Sequence, residues 1–159
     1  MSARPLGPAD IGVVQWALYT AVSWNDPPGI PPIAQAIEHP DMLRYHDGWG
    51  RRGDFGVAAY VDGEFLGAAF ARLFTDDDHG HGYVDDETPE LGVAVVSSHR
   101  GHGVGRYLME ELAEEARRVG CARLSLSVNN PNPAKGLYES LGYELIDDDG
   151  ESSLMVLEL

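Results

Sequence analysis

The sequence predicts an α/β protein of the α+β type, with a single mixed, mostly antiparallel sheet of about six to seven strands and flanking helices. Three patterns support this fold class. Residues 90–128 follow the order strand, glycine-rich turn, amphipathic helix and strand, which makes a central βαβ unit with parallel strands. Asp62-Gly63 joins two apolar stretches as a tight hairpin. Closing strands at 143–146 and 153–159 are split by an acidic turn.

The first 53 residues predict helices, after a short strand at residues 2–6 that Pro5 weakens. Pro8-Ala9-Asp10 marks a helix start, and the helix is expected to end near 25–29. A second helical region runs from Pro31 to about Asp47 and is interrupted near Pro40. Aromatic and imidazole side chains are concentrated here and could line a pocket or fill a core: Trp16, Tyr19, Trp24, Tyr45, His46 and Trp49.

The next strands are predicted at Phe55 to Val61 and at Glu64 to Phe74. A loop rich in aspartate and histidine follows, over residues 75–87. Aspartate and histidine in one loop suggest a metal site, but their spacing matches neither a zinc pattern nor an EF-hand. A solvated acidic loop is therefore predicted, and no metal is expected.

Composition excludes several classes of protein. The 159 residues carry a net charge of −15, from 11 basic and 26 acidic residues, so the basic surface that binds nucleic acid is missing. An acidic field favours a cationic partner, or serves solubility alone. The longest uncharged run near the N-terminus, Ile11 to Asn25, is short for a membrane span. Cys121 is the single cysteine, so no disulfide can form within the chain, and a cytoplasmic location is predicted.

A glycine-rich turn connects the strand and helix of the βαβ unit. Its sequence is Arg100-Gly101-His102-Gly103-Val104-Gly105-Arg106. The first N–H groups of a helix lack intrahelical partners and lie at the positive end of the dipole, so this turn is suited to bind a phosphate. Arg106 stands where a Rossmann fingerprint needs its third glycine, and the only lysine, Lys135, is far from the P-loop position.

The turn resembles the pyrophosphate loop of the GNAT superfamily of N-acetyltransferases, whose signature is Arg or Gln, two residues, Gly, one residue, and Gly or Ala. A second hallmark of that family is similar to residues 132–143, with Asn-Pro-Ala, Leu-Tyr-Glu and Leu-Gly-Tyr in order. The resemblance covers residues 54–159. It implies one N-acetyltransferase domain over 1–159, with a cofactor-binding core at 54–159 and a variable, acceptor-side helical region at 1–53.

The resemblance also implies acetyl-coenzyme A as co-substrate, a primary amine as acceptor, and direct attack in a ternary complex. By position, residues on the fourth strand would pair with the pantetheine arm, the glycine-rich turn would hold the pyrophosphate, and one asparagine would contact the cofactor. These residues are Val93, Ala94 and Val95; Arg100, Gly101, His102, Gly103, Val104, Gly105 and Arg106; and Asn132. Asn132 could equally cap the helix that begins at Pro133.

Tyr138 matches the family's general acid, and Glu90 matches a position where many members carry a carboxylate that acts through water. An alkylammonium has a pKa of about 10.4 and a glutamate about 4.3, so Glu90 would need burial, a water relay or a weaker amine. Four other side chains remain alternatives for the base: Asp86, Glu87, His79 and His81. The acceptor, a homodimer, and a coenzyme A binding module without turnover also remain open.

Overall fold

The computed structural model describes residues 1–159. Its strands are β1 (Ser2–Pro5), β2 (Phe55–Val61), β3 (Glu64–Arg72), β4 (Glu90–Val95), β5 (Arg123–Asn129), β6 (Glu144–Asp148) and β7 (Ser152–Glu158). They form one seven-stranded sheet in the order β1-β2-β3-β4-β5-β7-β6. All neighbouring strands are antiparallel except β4 and β5, which are parallel. The predicted mixed sheet with its central βαβ unit is confirmed.

Helices cover both faces of this sheet. They are α1 (Ile11–Val22), α2 (Ile33–Ala36), α3 (Pro40–His46), α4 (Val104–Arg118) and α5 (Ala134–Ser140). A core of 18 buried residues lies under α4, and a separate core of eight lies under α1 on the opposite face. Alternation along the strands produces the two cores, because neighbours such as Val57 and Ala58 point to opposite faces. None of the helices combines the length and apolar composition that crossing a bilayer requires.

The structure differs from the predicted element boundaries at three places. Pro5 lies inside β1, which is tolerated because β1 is an edge strand. Pro8–Asp10 forms a 3-10 turn, and the α-helix begins only at Ile11. The third strand ends at Arg72 rather than Phe74, because its pairing with β2 stops at Ala71 and its pairing with β4 stops at Arg72.

Arg72 and Asp54 form a buried ion pair at the C-terminal end of β3. Their side chains are 0% and 1% exposed, and the guanidinium binds the carboxylate through Nε at 2.9 Å and through a terminal nitrogen at 2.8 Å. The Asp54 carboxylate also accepts from the backbone N–H groups of Gly50 and Arg51. A buried charge pair is tolerated only when its remaining donors and acceptors are satisfied, and here they are.

The same guanidinium holds the end of α3. One terminal nitrogen of Arg72 donates to the carbonyls of Arg44 and Asp47, at 3.0 and 2.8 Å. These carbonyls belong to the last turn of a helix, where no intrahelical partner exists and a cation is favourable. The indole of Trp49 lies 5.7 Å from the guanidinium carbon and completes its surroundings. Arg72 therefore fixes α3 against the sheet.

Replacing Arg72 by methionine is expected to lower the free energy of unfolding by about 3–5 kcal/mol, because Asp54 is left charged and buried without its partner. Urea denaturation followed by circular dichroism measures this. Arg117→Met is the control, since Arg117 pairs with Glu114 on the surface of α4 and its loss should leave the midpoint nearly unchanged. Equal midpoints for the two variants would contradict the assigned role of Arg72.

Candidate active site

Strands β4 and β5 separate soon after they meet. Their only registered pair is Glu90 with Ser125, at the beginning of β4, where the Ser125 N–H donates to the Pro89 carbonyl at 3.0 Å. On its other side β4 pairs with β3 along all six residues. The β5-facing backbone groups of β4 beyond Glu90 therefore have no strand partner, and they border an opening in the middle of the sheet.

Alternation decides which backbone groups face this opening. The Val96 N–H donates to the Leu66 carbonyl of β3, and the Ala94 carbonyl is directed at Gly67 of β3. Because neighbouring residues on a strand turn their amides to opposite sides, Val93 and Val95 present theirs toward β5. Two of the three predicted pantetheine partners thus border the opening, whereas the backbone groups of Ala94 pair with β3.

The glycine-rich turn lies at the C-terminal end of β4 and leads directly into α4. Gly101 and Gly103 have φ of +79° and +84°, in the left-handed region that side chains rarely adopt, and Gly103 is the N-cap of α4. A Cβ on either would meet no atom within 4 Å, so both face open space. His102 is exposed as well. The side chain of Val104 is buried in the larger core, so only the backbone of Val104 belongs to the surface of the turn.

The two arginines of the turn have different surroundings. Arg100 is exposed, and its Nε donates to the Val95 carbonyl at 3.3 Å, so the guanidinium lies near the opening. Arg106 instead donates to the Ser140 hydroxyl at 2.7 Å and lies 3.8 Å from Glu110. Arg100 is therefore the better placed of the two to add positive charge at the turn.

Helix α5 flanks the opening and carries Tyr138. A Cβ on Gly105, in the first turn of α4, would lie 3.4 Å from Leu137 and 3.8 Å from Val95, so α4, α5 and β4 meet at this point. The side-chain oxygen of Asn132, Oδ1, accepts a hydrogen bond from the Ala134 N–H at 2.9 Å, as the predicted cap requires. The capping role is therefore present, and it leaves the amide nitrogen of Asn132 free for another contact.

Tyr138 is 8% exposed and belongs to the larger core. It makes no side-chain hydrogen bond within the chain, and its hydroxyl, unlike the buried unpaired hydroxyl of Tyr143, keeps contact with solvent. Burial raises the pKa of Tyr138 to about 12, so the phenol stays protonated near neutral pH. A protonated phenol can donate a hydrogen bond or a proton to a bound ligand.

Glu90 lies at the beginning of β4 and is only 5% exposed. Its Oε2 accepts a 2.5 Å hydrogen bond from the Tyr45 hydroxyl, whereas its Oε1 is buried without a partner. Tyr45 comes from α3, and the sequence distinguishes it from the other aromatics of the first 53 residues by no local pattern. No local pattern could reveal this contact, because the two residues are 45 positions apart.

Two glycines of the acidic loop lie directly on this pair. A Cβ on Gly80 would be 1.6 Å from the Tyr45 hydroxyl, and one on Gly82 would be 2.6 Å from the Glu90 carboxyl carbon. Desolvation beneath this backbone raises the pKa of Glu90 to about 7, and the hydroxyl of Tyr45 opposes the rise. A carboxylate that titrates near neutral pH can act as a base there.

The four alternatives for the base, Asp86, Glu87, His79 and His81, all lie in the acidic loop. Asp85 pairs with Arg123 and accepts from Thr88, and Asp86 accepts from the Tyr83 hydroxyl. His79 stacks on Tyr83 with 4.3 Å between ring centres. The structure contains no group of three or more histidine, cysteine or acidic side chains that could hold a metal ion.

The aromatics of the first 53 residues are mostly engaged in the fold. Trp16 packs edge to face on Phe65, and the hydroxyl of Tyr19 donates to the Pro31 carbonyl. Trp49 is buried, and its indole N–H donates to the Gly7 carbonyl. Tyr45 differs from them because its hydroxyl reaches a buried carboxylate at the sheet opening.

The structure combines a mixed sheet that opens between β4 and β5 with a glycine-rich helix N-terminus at the end of β4. A family model described as the Acetyltransferase (GNAT) family matches residues 18–143. The chain belongs to the GNAT family of acetyltransferases, as the two sequence hallmarks predicted.

Similarity to characterised relatives is partial. The chain is 41% identical over 59 residues to the [Ribosomal protein bS18]-alanine N-acetyltransferase of Escherichia coli (strain K12), which is 36% of this chain and 40% of that protein. It is 28% identical over 128 residues to the L-amino acid N-acyltransferase MnaT of the same organism, over 79% of this chain and 66% of MnaT. The match to the alanine N-acetyltransferase therefore spans less than half of that protein's length.

Solved structures share the fold at low identity. A ribosomal-protein-alanine N-acetyltransferase from Brucella melitensis gives a TM-score of 0.70 with 24% identity over 100% of both chains. The PaiA N-acetyltransferase of Thermoplasma acidophilum, in complex with coenzyme A, gives 0.68 with 16% identity over 100% of both chains. At these identities the likeness shows the fold alone.

The buried carboxyl of Glu90 should make stability depend on pH in a defined direction. Because its folded pKa is raised to about 7 from 4.5, the unfolded chain ionises first as pH rises, and stability falls between these values. The loss is on the order of 3 kcal/mol and is complete above the folded pKa. Glu90→Gln removes this titration. The free energy of unfolding of the parent should therefore fall relative to that of the variant between pH 4 and pH 8. A constant difference would show that Glu90 titrates normally.

Proposed function

We propose that the chain is an acetyl-coenzyme A dependent N-acetyltransferase that moves the acetyl group from the thioester to a primary amine by direct attack in a ternary complex. The supporting observation is the opening between β4 and β5: amides without a strand partner form one wall, a glycine-rich helix N-terminus lies at its end, and α5, which carries Tyr138, flanks it. An extended ligand that carries amides and a diphosphate fits this arrangement.

The pantetheine arm would extend β4 as an additional strand. Val93 and Val95 would exchange backbone hydrogen bonds with its amides, because these residues present theirs to the opening. The N–H groups from Gly101 to Gly105 would hold the pyrophosphate, with charge from Arg100. Arg106, His102 and the Asn132 amide would make more peripheral contacts with the cofactor.

Tyr138 would act as general acid toward the departing thiolate. With a pKa of about 12, it is a weaker acid than a thiol of about 8.5 by roughly 3.5 units. Complete proton transfer before bond cleavage would therefore cost roughly 5 kcal/mol. The proton must instead move as the C–S bond breaks, while the hydroxyl stabilises the growing negative charge by hydrogen bonding.

Glu90 would act as the base that accepts the proton of the attacking amine. Its raised pKa of about 7 narrows the gap to an alkylammonium from about 6 units to about 3. Its burial beneath Gly80 and Gly82 favours transfer through a water over direct contact with the amine. Asp86, Glu87, His79 and His81 lie in the same loop and remain the competing assignments.

The acceptor would be an amine that approaches across the acidic loop. Its carboxylates and the net charge of −15 favour a cationic molecule. The relatives' names suggest two acceptor classes, the N-terminal alanine of a protein and a free L-amino acid. A panel containing peptides with N-terminal alanine, free amino acids and polyamines, assayed by thiol release from acetyl-coenzyme A, would identify the acceptor. The cytoplasmic location, the homodimer and the division at residue 53 stay predictions.

A coenzyme A binding module without turnover is the alternative. The burial of Glu90 favours it, since a sealed carboxylate is hard for an acceptor to reach. Coenzyme A would then raise the melting temperature, yet no amine in the panel would release thiol from acetyl-coenzyme A. Thiol release that requires any one amine would exclude this alternative.

Tyr138→Phe is expected to lower kcat by about 100-fold or more with little change in the dissociation constant of acetyl-coenzyme A, because the hydroxyl acts only as the thiolate departs. Assays of thiol release at saturating substrate measure kcat, and isothermal titration calorimetry measures the dissociation constant. Tyr143→Phe is the matched control, since its hydroxyl is buried and unpaired, and its removal should leave kcat unchanged and stability equal or higher. Equal kcat for Tyr138→Phe and its parent would exclude the acid role.

Gly105→Leu is expected to weaken coenzyme A binding on the order of tenfold or more, about 1.4 kcal/mol, because the new side chain enters the space between Val95 and Leu137. The backbone at Gly105 is helical, so the substitution should preserve the fold. Gly12→Leu, in the exposed first turn of α1, is the control and should leave binding unchanged. Unaltered affinity in Gly105→Leu would place the cofactor elsewhere.

A further inference from the structure

We propose that Tyr45 is a positioning residue for Glu90: it occupies Oε2 of the carboxylate and leaves Oε1 as the oxygen that receives the acceptor's proton. This inference rests on the proposed acetyl transfer and adds to it a residue outside the two sequence hallmarks. The proton step is simple. An N–H bond of the acceptor breaks, its electron pair stays on nitrogen, and an O–H bond forms at Oε1, directly or through one water.

The asymmetry of the Glu90 carboxylate carries the argument. Oε2 accepts the 2.5 Å hydrogen bond from Tyr45, and Oε1 has no partner although it is buried. An unpaired buried carboxylate oxygen is unfavourable, and such an atom marks a place where a water or a substrate donor binds. Because one oxygen is already occupied, the direction from which a proton can arrive is restricted to the other.

Tyr45 can hold Glu90 because its own position is fixed. Its ring packs edge to face on Phe74, with 5.1 Å between centres, and Gly80 covers its hydroxyl. It lies on α3, whose final carbonyls are held by Arg72. The hydroxyl is therefore preorganised, and it does not lose side-chain freedom when it meets the carboxylate.

The charged and titratable groups around Glu90 come from two elements. Tyr45 and Arg44 belong to α3, and His79 belongs to the acidic loop. Arg44 donates to the His79 carbonyl at 2.8 Å and lies 3.3 Å from Asp78, so it ties the loop to the helix. Tyr45 is the one whose hydroxyl contacts the carboxylate, and burial together with Glu90 raises the pKa of that phenol, which keeps it a donor.

The test is the pH dependence of kcat/KM with the acceptor found in the panel, combined with a ¹³C NMR titration of the Glu90 carboxyl, assigned through Glu90→Gln. Tyr45→Phe retains the ring and removes the donor that favours the charged carboxylate. Its carboxyl pKa and the acid limb of its rate profile should both rise by about one unit, with roughly a tenfold loss of kcat/KM on the acid side. Replacing Tyr45 by 3-fluorotyrosine, whose hydroxyl is a stronger hydrogen-bond donor, should lower both the carboxyl pKa and the pH of the acid limb.

Tyr60→Phe is the matched control, because Tyr60 lies on β2 and packs on Phe65, away from Glu90 and from the acidic loop that carries the competing bases. Its rate profile should match that of the parent. A carboxyl pKa that moves in Tyr45→Phe while the rate profile stays fixed would overturn the inference, and so would a carboxyl pKa that does not move. Absence of thiol release by the parent with every amine would instead reject the proposed function.

Discussion

The buried ion pair of Arg72 and Asp54 is the constraint on which the placement of α3 depends. One guanidinium at the end of β3 binds the carboxylate that precedes β2 and the final carbonyls of α3. Such a pair contributes less to net stability than to geometry, since its desolvation offsets much of its attraction. Here it sets where α3 lies on the sheet. The position of Tyr45, and through it that of the Glu90 carboxylate, follows from this placement.

The opening between β4 and β5 and the glycine-rich turn depend on backbone geometry rather than on charged side chains. β4 is paired fully with β3 but meets β5 at a single position, so its remaining amides need another partner. The chain then turns through two glycines with positive φ and begins α4 with its N–H groups directed outward. Both features provide donors without a side chain, which explains why one arginine is sufficient at a site proposed for a highly anionic ligand in a strongly acidic protein.

Local pattern predicted most of the fold, but in the candidate site it could indicate only groups of residues that lie close together in the sequence. The βαβ unit, the Asp62-Gly63 hairpin and the Asn132 cap are encoded by residues close in sequence, and the structure contains all three. The contact between Tyr45 and Glu90 joins residues 45 positions apart, and no periodicity reports such a distance. Arg72 did leave a signal, because it follows seven uncharged residues in β3, and a charge after such a run implies a buried partner. In the sequence, Gly80 and Gly82 indicate only a loop. In the structure, their lack of a side chain lets the loop backbone lie directly against Tyr45 and Glu90.

The division of the interior into two unequal cores has a consequence for motion. Eight buried residues hold α1 to one face, where Met42 and Tyr45 of α3 pack against them, and 18 hold α4 to the other. Regions with fewer apolar contacts open at lower free energy, so amide hydrogens of α1 and α3 should exchange with solvent sooner than those of α4. The half of the molecule proposed to select acceptors is therefore the softer half. It can change shape, or change sequence over evolutionary time, while the other half remains ordered.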